Sequence, residues 1–459
     1  MKRYLIKIIV WGCVLTLCLA SHGLGAGEEN TEAGMGRLDL REVMHLAATQ
    51  SLDVLSAAQG REVANGKIRE AYANALPVLN AGTELMYMSD SLSRGDNEQA
   101  TVSLSLTQPL FRAGSISAGI RAAKLYEDYS EKSIASAKLD VVRLACIRYY
   151  DVLLARTNLQ VARETVDLAS FNLDVVTGRK AQGTATNLDV IRAQEQMSNY
   201  QADLLSARNA LSIARMRLLT VLRIPPDAPI AIQGDLCFTP ESGLVANPFK
   251  TAGERRPDLQ VLKTQVNMQD ENIIATQSER YLSVDATGKY SQVTPESPLE
   301  DGWAEEYYGG VVFKLPIFEG RRVSGKMAQE KALRNQYKYA VDQKTDEIRL
   351  EVNEALDNLQ AAAQVVKARE TSVLQAKEAL RLAQSGYEHG VNEQLDVLNA
   401  QLTFADSSLN YSKAVYDHNI YRIDLKRATG VLLDEIGQET VDKPVAGQAE
   451  TETRGLDHE

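Results

Sequence analysis

Residues able to do chemistry on a bound molecule are few in this chain, and they are dispersed. His22, His45, His389, His418 and His458 show no metal-ligand spacing, and His389 reads as a surface residue. The cysteines build no disulfide framework: Cys13 and Cys18 lie in an N-terminal apolar run, Cys146 in a helical run and Cys237 in a linker. No nucleophile elbow or phosphate-binding loop occurs, so no enzyme, cofactor or metal site is indicated. What recurs is a carboxylate in a fixed setting. Gly183, Leu188, Asp189, Val190, Ala193 and Gln194 return as Gly390, Leu395, Asp396, Val397, Ala400 and Gln401, each displaced by 207 positions. A carboxylate at a helix start accepts backbone N–H groups and meets the positive end of the helix dipole. Several of them around one aperture would attract cations.

The elements that must position these carboxylates are long helices. Each copy of the motif follows one helix-forming run and opens another, with its glycine as the permissive backbone of a turn. Each copy is therefore the tip of a helical hairpin. The first run, from about Ser115 to Thr177, has no proline, and its roughly 60 residues would reach roughly 90 Å. Leu139, Val142, Cys146, Tyr149 and Leu153 step 3, 4, 3, 4 along it, which is a coiled-coil seam. Ile348, Val352, Ala355, Leu359 and Ala362 repeat the seam in the second copy.

The same displacement carries Pro109 and Phe111 onto Pro316 and Phe318, so the chain is one unit built twice. Residues 1–26 read as a secretory signal, with Lys2 and Arg3 before an apolar run from Leu5 to Ala20. Residues 27–222 form the first repeat, with a helix from Leu38 to Ala75, strands at about 79–88 and 100–107, and a tip at about 178–187. Residues 223–255, with five prolines, form a linker. Residues 256–436 form the second repeat, with strands at about 282–292 and 307–315 and a tip at about 385–394, and residues 437–459 an acidic tail expected to be disordered. Formal charge is −11, or −14 once Lys2, Arg3 and Lys7 leave with the signal, and an acidic surface argues against nucleic acid.

The strands alternate in period 2. Leu79, Ala81 and Leu85, then Val102, Leu104 and Leu106, then Val284 and Ala286, then Val311 and Phe313 each make an apolar face opposite polar residues. The mature sequence has no helix-length apolar run of about 20 residues, so entry into a membrane would be by strands. Four strands cannot close into a water-filled barrel, whereas three chains pooling four each would give twelve. Ordinary half-buried sheets resting on the helices are the other reading of the same alternation.

The doubled order of helix, strand hairpin, Pro-Leu/Ile-Phe exit, long helix, Leu-Asp-Val tip and return helix resembles the TolC family of outer-membrane efflux proteins, over about residues 38–432. That resemblance implies a mainly α fold with a small β part. It implies a homotrimer forming a 12-stranded barrel in outer-membrane lipid on a periplasmic α-helical barrel, located in the outer membrane of a Gram-negative bacterium. It implies passive export from an inner-membrane transporter through a periplasmic adaptor, in efflux or type I secretion.

Carried over residue by residue, Tyr387 matches the family's gate tyrosine and Asp189 the aspartate that bonds it. Asp396 matches the first of two aperture aspartates. Asn399 stands where the second is expected and Asn392 where a gate arginine is expected, which implies one carboxylate ring and a looser latch. The exposed turns at Gly183, Thr184, Gly390 and Val391 are the expected adaptor-docking tips. The alternative reading, from another class, is a soluble periplasmic coiled-coil adaptor or scaffold.

Overall fold

A computed structural model describes residues 37–87, 98–240, 247–293 and 303–434. The expected signal, the strand-connecting loops and the acidic tail lie outside the described residues. In chain order the elements are β1 (Arg37–Leu38), α1 (Leu40–Gln50), α2 (Leu52–Ala73), β2 (Val78–Tyr87), β3 (Glu98–Phe111), α3 (Ser115–Ala181) and α4 (Asn187–Val221). Then follow β4 (Ala231–Ile232), α5 (Pro248–Arg255), α6 (Pro257–Ser278), β5 (Ser283–Val293), β6 (Ala304–Lys314), α7 (Arg322–Glu388) and α8 (Gln394–Thr429). A small unit pairs β1 with β4 in parallel, and the remaining elements belong to a second.

The duplication is kept to the residue. Both α3 and α7 have 67 residues, and their starts and ends lie 207 positions apart. At 1.5 Å per residue each is about 100 Å long. The predicted seams are buried, with Leu139, Val142, Cys146, Tyr149 and Leu153 at most 4% exposed. Ile348, Val352, Ala355 and Leu359 enter one apolar cluster with Leu259 of α6 and Leu425 of α8. Both exits from strand to helix use two successive left-handed residues, Ala113 with Gly114 and Gly320 with Arg321. A side chain costs about 1 kcal/mol in that conformation. Its reuse at Ala113 and Arg321 shows that the sharp exit matters more than the residue filling it.

Several expected boundaries move. The helix expected over Leu38–Ala75 breaks at Ser51, whose extended backbone (ψ 141°) ends α1 and whose hydroxyl accepts from the Asp53 N–H at 3.3 Å to start α2. The proline-rich linker holds a helix, α5, with Pro248 in its first turn, where a missing N–H costs nothing. Strand β3 runs on through Pro109 to Phe111, and its register with β5 shifts there because proline has no N–H to give to the ladder.

The strands form one antiparallel sheet in the order β2-β3-β5-β6. Its register brings all four apolar faces to the same side. Leu79 lies opposite Leu106 and Ala81 opposite Leu104; Leu104 in turn lies opposite Tyr290, and Tyr290 opposite Tyr307. Val284 and Ala286 lie opposite Phe313 and Val311. The other side carries Asn80, Ser103, Ser105, Asp285, Thr287 and Lys289. The apolar side is not covered: Leu85 is 80% exposed and Phe313 67%, while Leu104 in the middle of its strand is 43% exposed. A sheet resting on helices would bury these residues, so that reading fails.

Within the second repeat a charge is buried. Arg256 is fully buried and holds Asp258 through two nitrogens, and it also bonds Glu351 of α7. Burial opposes ionisation of Asp258, but Arg256 and Lys344 outweigh it and keep the carboxyl below the ordinary carboxylate range. The stability this group contributes is therefore complete above its unfolded pKa and is lost as pH falls through the lower folded value. Arg256→Met should destabilise the fold by about 3 kcal/mol, the low end for breaking a buried pair, because Lys344 and Arg427 still attend the two carboxylates. Chemical denaturation would measure it, and a loss below about 1 kcal/mol would remove Arg256 from that role.

Candidate functional site

Each hairpin turns by the same backbone chemistry. At the first tip Gly183 takes φ +73°, and the Thr184 N–H and hydroxyl both donate to the Arg179 carbonyl at 2.9 and 3.1 Å. Thr186 then caps α4 in a reciprocal box. Its backbone N–H and hydroxyl donate to Asp189 Oδ2 at 2.8 and 2.7 Å, and the Asp189 N–H returns to Thr186 Oγ1 at 3.2 Å. The Thr186 hydroxyl, helped by its N–H, holds the Asp189 carboxyl below its ordinary range. At the second tip Gly390 takes φ +76°, the Val391 N–H donates to the Gly386 carbonyl at 2.8 Å, and the Glu393 N–H donates to Asp396 Oδ2 at 3.1 Å. Both aspartates thus take part in capping, each in the first turn of its helix.

The two tips are joined to one another. Val176, Val190, Ala383, Tyr387 and Val397 form a buried cluster across all four helix ends. The Arg179 guanidinium lies over the Tyr387 ring at 4.3 Å from its centre and donates to the Glu388 carbonyl at 2.8 Å. Gln394, 5% exposed, donates to the Asp189 carbonyl at 2.8 Å. Tyr387 and Asp189, expected as latch partners, therefore sit at one junction, with the Asp189 carboxylate engaged by Thr186 and the Tyr387 ring covered by Arg179.

Asp396 and Asn399 lie one turn apart on α8, both exposed. Asn392 is half-buried with its amide against Gly386, where an added Cβ would come within 2.5 Å of Nδ2. It packs as a local turn residue. Gly183, Thr184, Gly390 and Val391 are exposed, Val391 by 80%.

Arg179 and Gln394 escaped sequence reasoning as junction residues. A signal for Arg179 was available: the displacement of 207 places it on Gly386, so a bulky cation in one copy meets an empty position in the other. Gln394 gave none, because its partner is a backbone carbonyl 205 residues away.

A sequence profile of the family described as outer membrane efflux protein matches residues 43–222 and 249–431, one stretch in each repeat. The chain belongs to that family. Outer membrane protein TolC of Escherichia coli (strain K12) is 24% identical over 420 residues, which span 86% of this chain and 83% of that protein. Among solved structures, a membrane protein from Pseudomonas aeruginosa superposes with a TM-score of 0.74 at 22% identity, covering 85% of this chain and 93% of its own. The CmeC outer membrane channel of Campylobacter jejuni does so with a TM-score of 0.74 at 15% identity, covering 86% of each chain. The outer membrane efflux fold is therefore the one expected, mainly helical, doubled and with a small sheet. The protein is an efflux channel component of the Gram-negative outer membrane. Among the described residues no helix is long and apolar enough to cross a bilayer.

Proposed function

We propose that three copies of this chain close into a passive channel-tunnel, with a 12-stranded barrel in the outer membrane continued by a periplasmic cylinder of helices. One observation carries this reading: a four-stranded sheet with an exposed apolar face and two edge strands, β2 and β6, that have a neighbour on one side only. In hydrocarbon an open edge leaves N–H and C=O groups without partners, so the edges must be closed by other copies. Helix α7 adds support, since Leu350, Val365, Leu374 and Leu382 are each at least 47% exposed along its length. Energy for transport would come from an inner-membrane transporter reached through a periplasmic adaptor, which meets the exposed tips at Gly183, Thr184, Gly390 and Val391. The gate would be Asp396 and Asn399 at the aperture, with Tyr387, Asp189 and Asn392 behind it.

Planar-bilayer recording of the purified protein, with its mass measured in detergent, tests the proposal. A trimer that forms discrete conducting pores is the expected result. A monomer that stays soluble without detergent and never inserts would favour the scaffold reading. The tip junction predicts a specific variant. Arg179→Ala removes both the guanidinium over Tyr387 and the bond to Glu388, and it should raise resting conductance several-fold. Tyr387→Phe keeps the ring under Arg179 and should do less. Equal resting conductance in wild type and Arg179→Ala would sink the latch.

A further inference from the structure

Between α3, α4 and α8 lies a cleft of about 450 Å³, its α8 wall running from Leu402 to Leu409. Its walls are mostly Ala, Val and Leu, and its polar groups are three carboxylates, three hydroxyls and the Asn158 amide. No Lys or Arg lines it. Of its three aspartates, Asp151 is already engaged by Arg148 at 3.0 Å and by the Tyr416 hydroxyl at 2.7 Å. Asp203 and Asp406, on α4 and α8, stand exposed at the rim.

Tyr200 is the most buried polar residue of the cleft, at 5% exposed. Its hydroxyl makes no hydrogen bond of normal geometry, and the Gln196 side chain lies close enough to act on it. Asn158 Oδ1, on the opposite wall, is buried and unpartnered as well. Buried polar groups in native proteins are normally satisfied, and unpartnered oxygens lining a cleft leave room for water beside a bound molecule.

The duplication supplies a built-in comparison. Displacement by 207 turns Asp151, Tyr200 and Asp203 into Asn358, Ser407 and Asn410, and Asp406 corresponds to Asn199. Every charge of the cleft is thus absent from the corresponding positions, although α7 pairs with α8 as α3 pairs with α4. The carboxylates and the phenol are not needed to build the hairpins.

We infer that this cleft binds a hydrophobic organic cation, its apolar body between the helices and its charge between Asp203 and Asp406. The volume lies within the range of small-molecule sites. A metal ion fits poorly: among the described residues no three His, Cys, Asp or Glu side chains converge. A lysine from another protein would match the charge but leave the apolar walls unfilled. The site lies in the protomer wall, apart from the aperture aspartates, and it does not depend on how the gate works.

Isothermal titration of the full-length protein in non-ionic detergent with tetraphenylphosphonium tests it. One saturable site per chain is expected. Asp203→Asn combined with Asp406→Asn should weaken it at least about tenfold, the order set by two carboxylates within several ångströms of a unit charge near a protein surface. Ala207→Phe, which fills the cleft and keeps both charges, should abolish it, with helicity unchanged by circular dichroism. The neutral triphenylphosphine oxide should bind at least about tenfold more weakly than the cation. Absence of saturable binding to the native protein, or unchanged affinity in the double Asp variant or in Ala207→Phe, would overturn the proposal. So would dissociation of the oligomer in the double variant, which would make the cleft a contact between subunits.

Discussion

Leu104→Arg should leave the helices able to form and prevent the protein from becoming a membrane channel. Leu104 stands at the middle of β3 on the apolar side, between Ala81 of β2 and Tyr290 of β5, and both neighbours face the same way. An arginine on the lipid face near the bilayer midplane costs about 2–4 kcal/mol. In the proposed trimer that cost recurs in every copy. Few assemblies have so much stability in reserve. The variant should accumulate as non-inserted protein without a heat-modifiable oligomer on gels. Thr101→Arg is the control, because Thr101 faces the other side directly opposite Glu84, where a cation is solvated and gains a partner. Equal loss of insertion in both variants would mean that the two faces are not lipid and water.

Neutralising Asp396 should have the second largest effect, on block of the channel by trivalent cations from the periplasmic side. Asp396→Asn retains an oxygen to accept the Glu393 N–H, so the helix cap survives while the charge goes. If three Asp396 carboxylates surround the aperture, the substitution removes all of the charge that they hold there. A trivalent ion near three such groups should lose about a hundredfold or more in affinity. Asn399→Asp, one turn further along the same exposed face, should do the reverse by restoring a second ring. Block that is indifferent to both changes would place α8 away from the conducting path.

These two expectations come from different levels of the molecule. The alternation that puts Leu104 on the apolar side is a property of consecutive residues, since a strand sends i and i+2 to the same side whatever lies beyond it. The buried seam of Leu139, Val142, Cys146, Tyr149 and Leu153 is local in the same sense. So are the tip glycines, Gly183 and Gly390, whose positive φ follows from the need to reverse a helix in a few residues. Local rules failed at element ends and in the linker, where helix α5 was not expected. Ser51 interrupts a helix whose periodicity runs through it, because its hydroxyl offers the backbone an alternative partner. Pro109 stays inside a strand, because the ladder tolerates the missing donor at a register shift.

Residue order alone thus determined that the protein is a doubled helical hairpin with amphipathic strands, and it singled out Asp189 and Asp396 at the tips, while Tyr387 came from the family resemblance. Tertiary structure decided what those groups touch. Arg179 covers Tyr387, and Gln394 reaches the Asp189 carbonyl. The cleft around Tyr200 likewise joins three helices, one of them about 200 residues further along the chain. Such contacts have no period and no spacing, because they arise where one repeat folds against the other, and a side chain's partner there is set by packing in three dimensions.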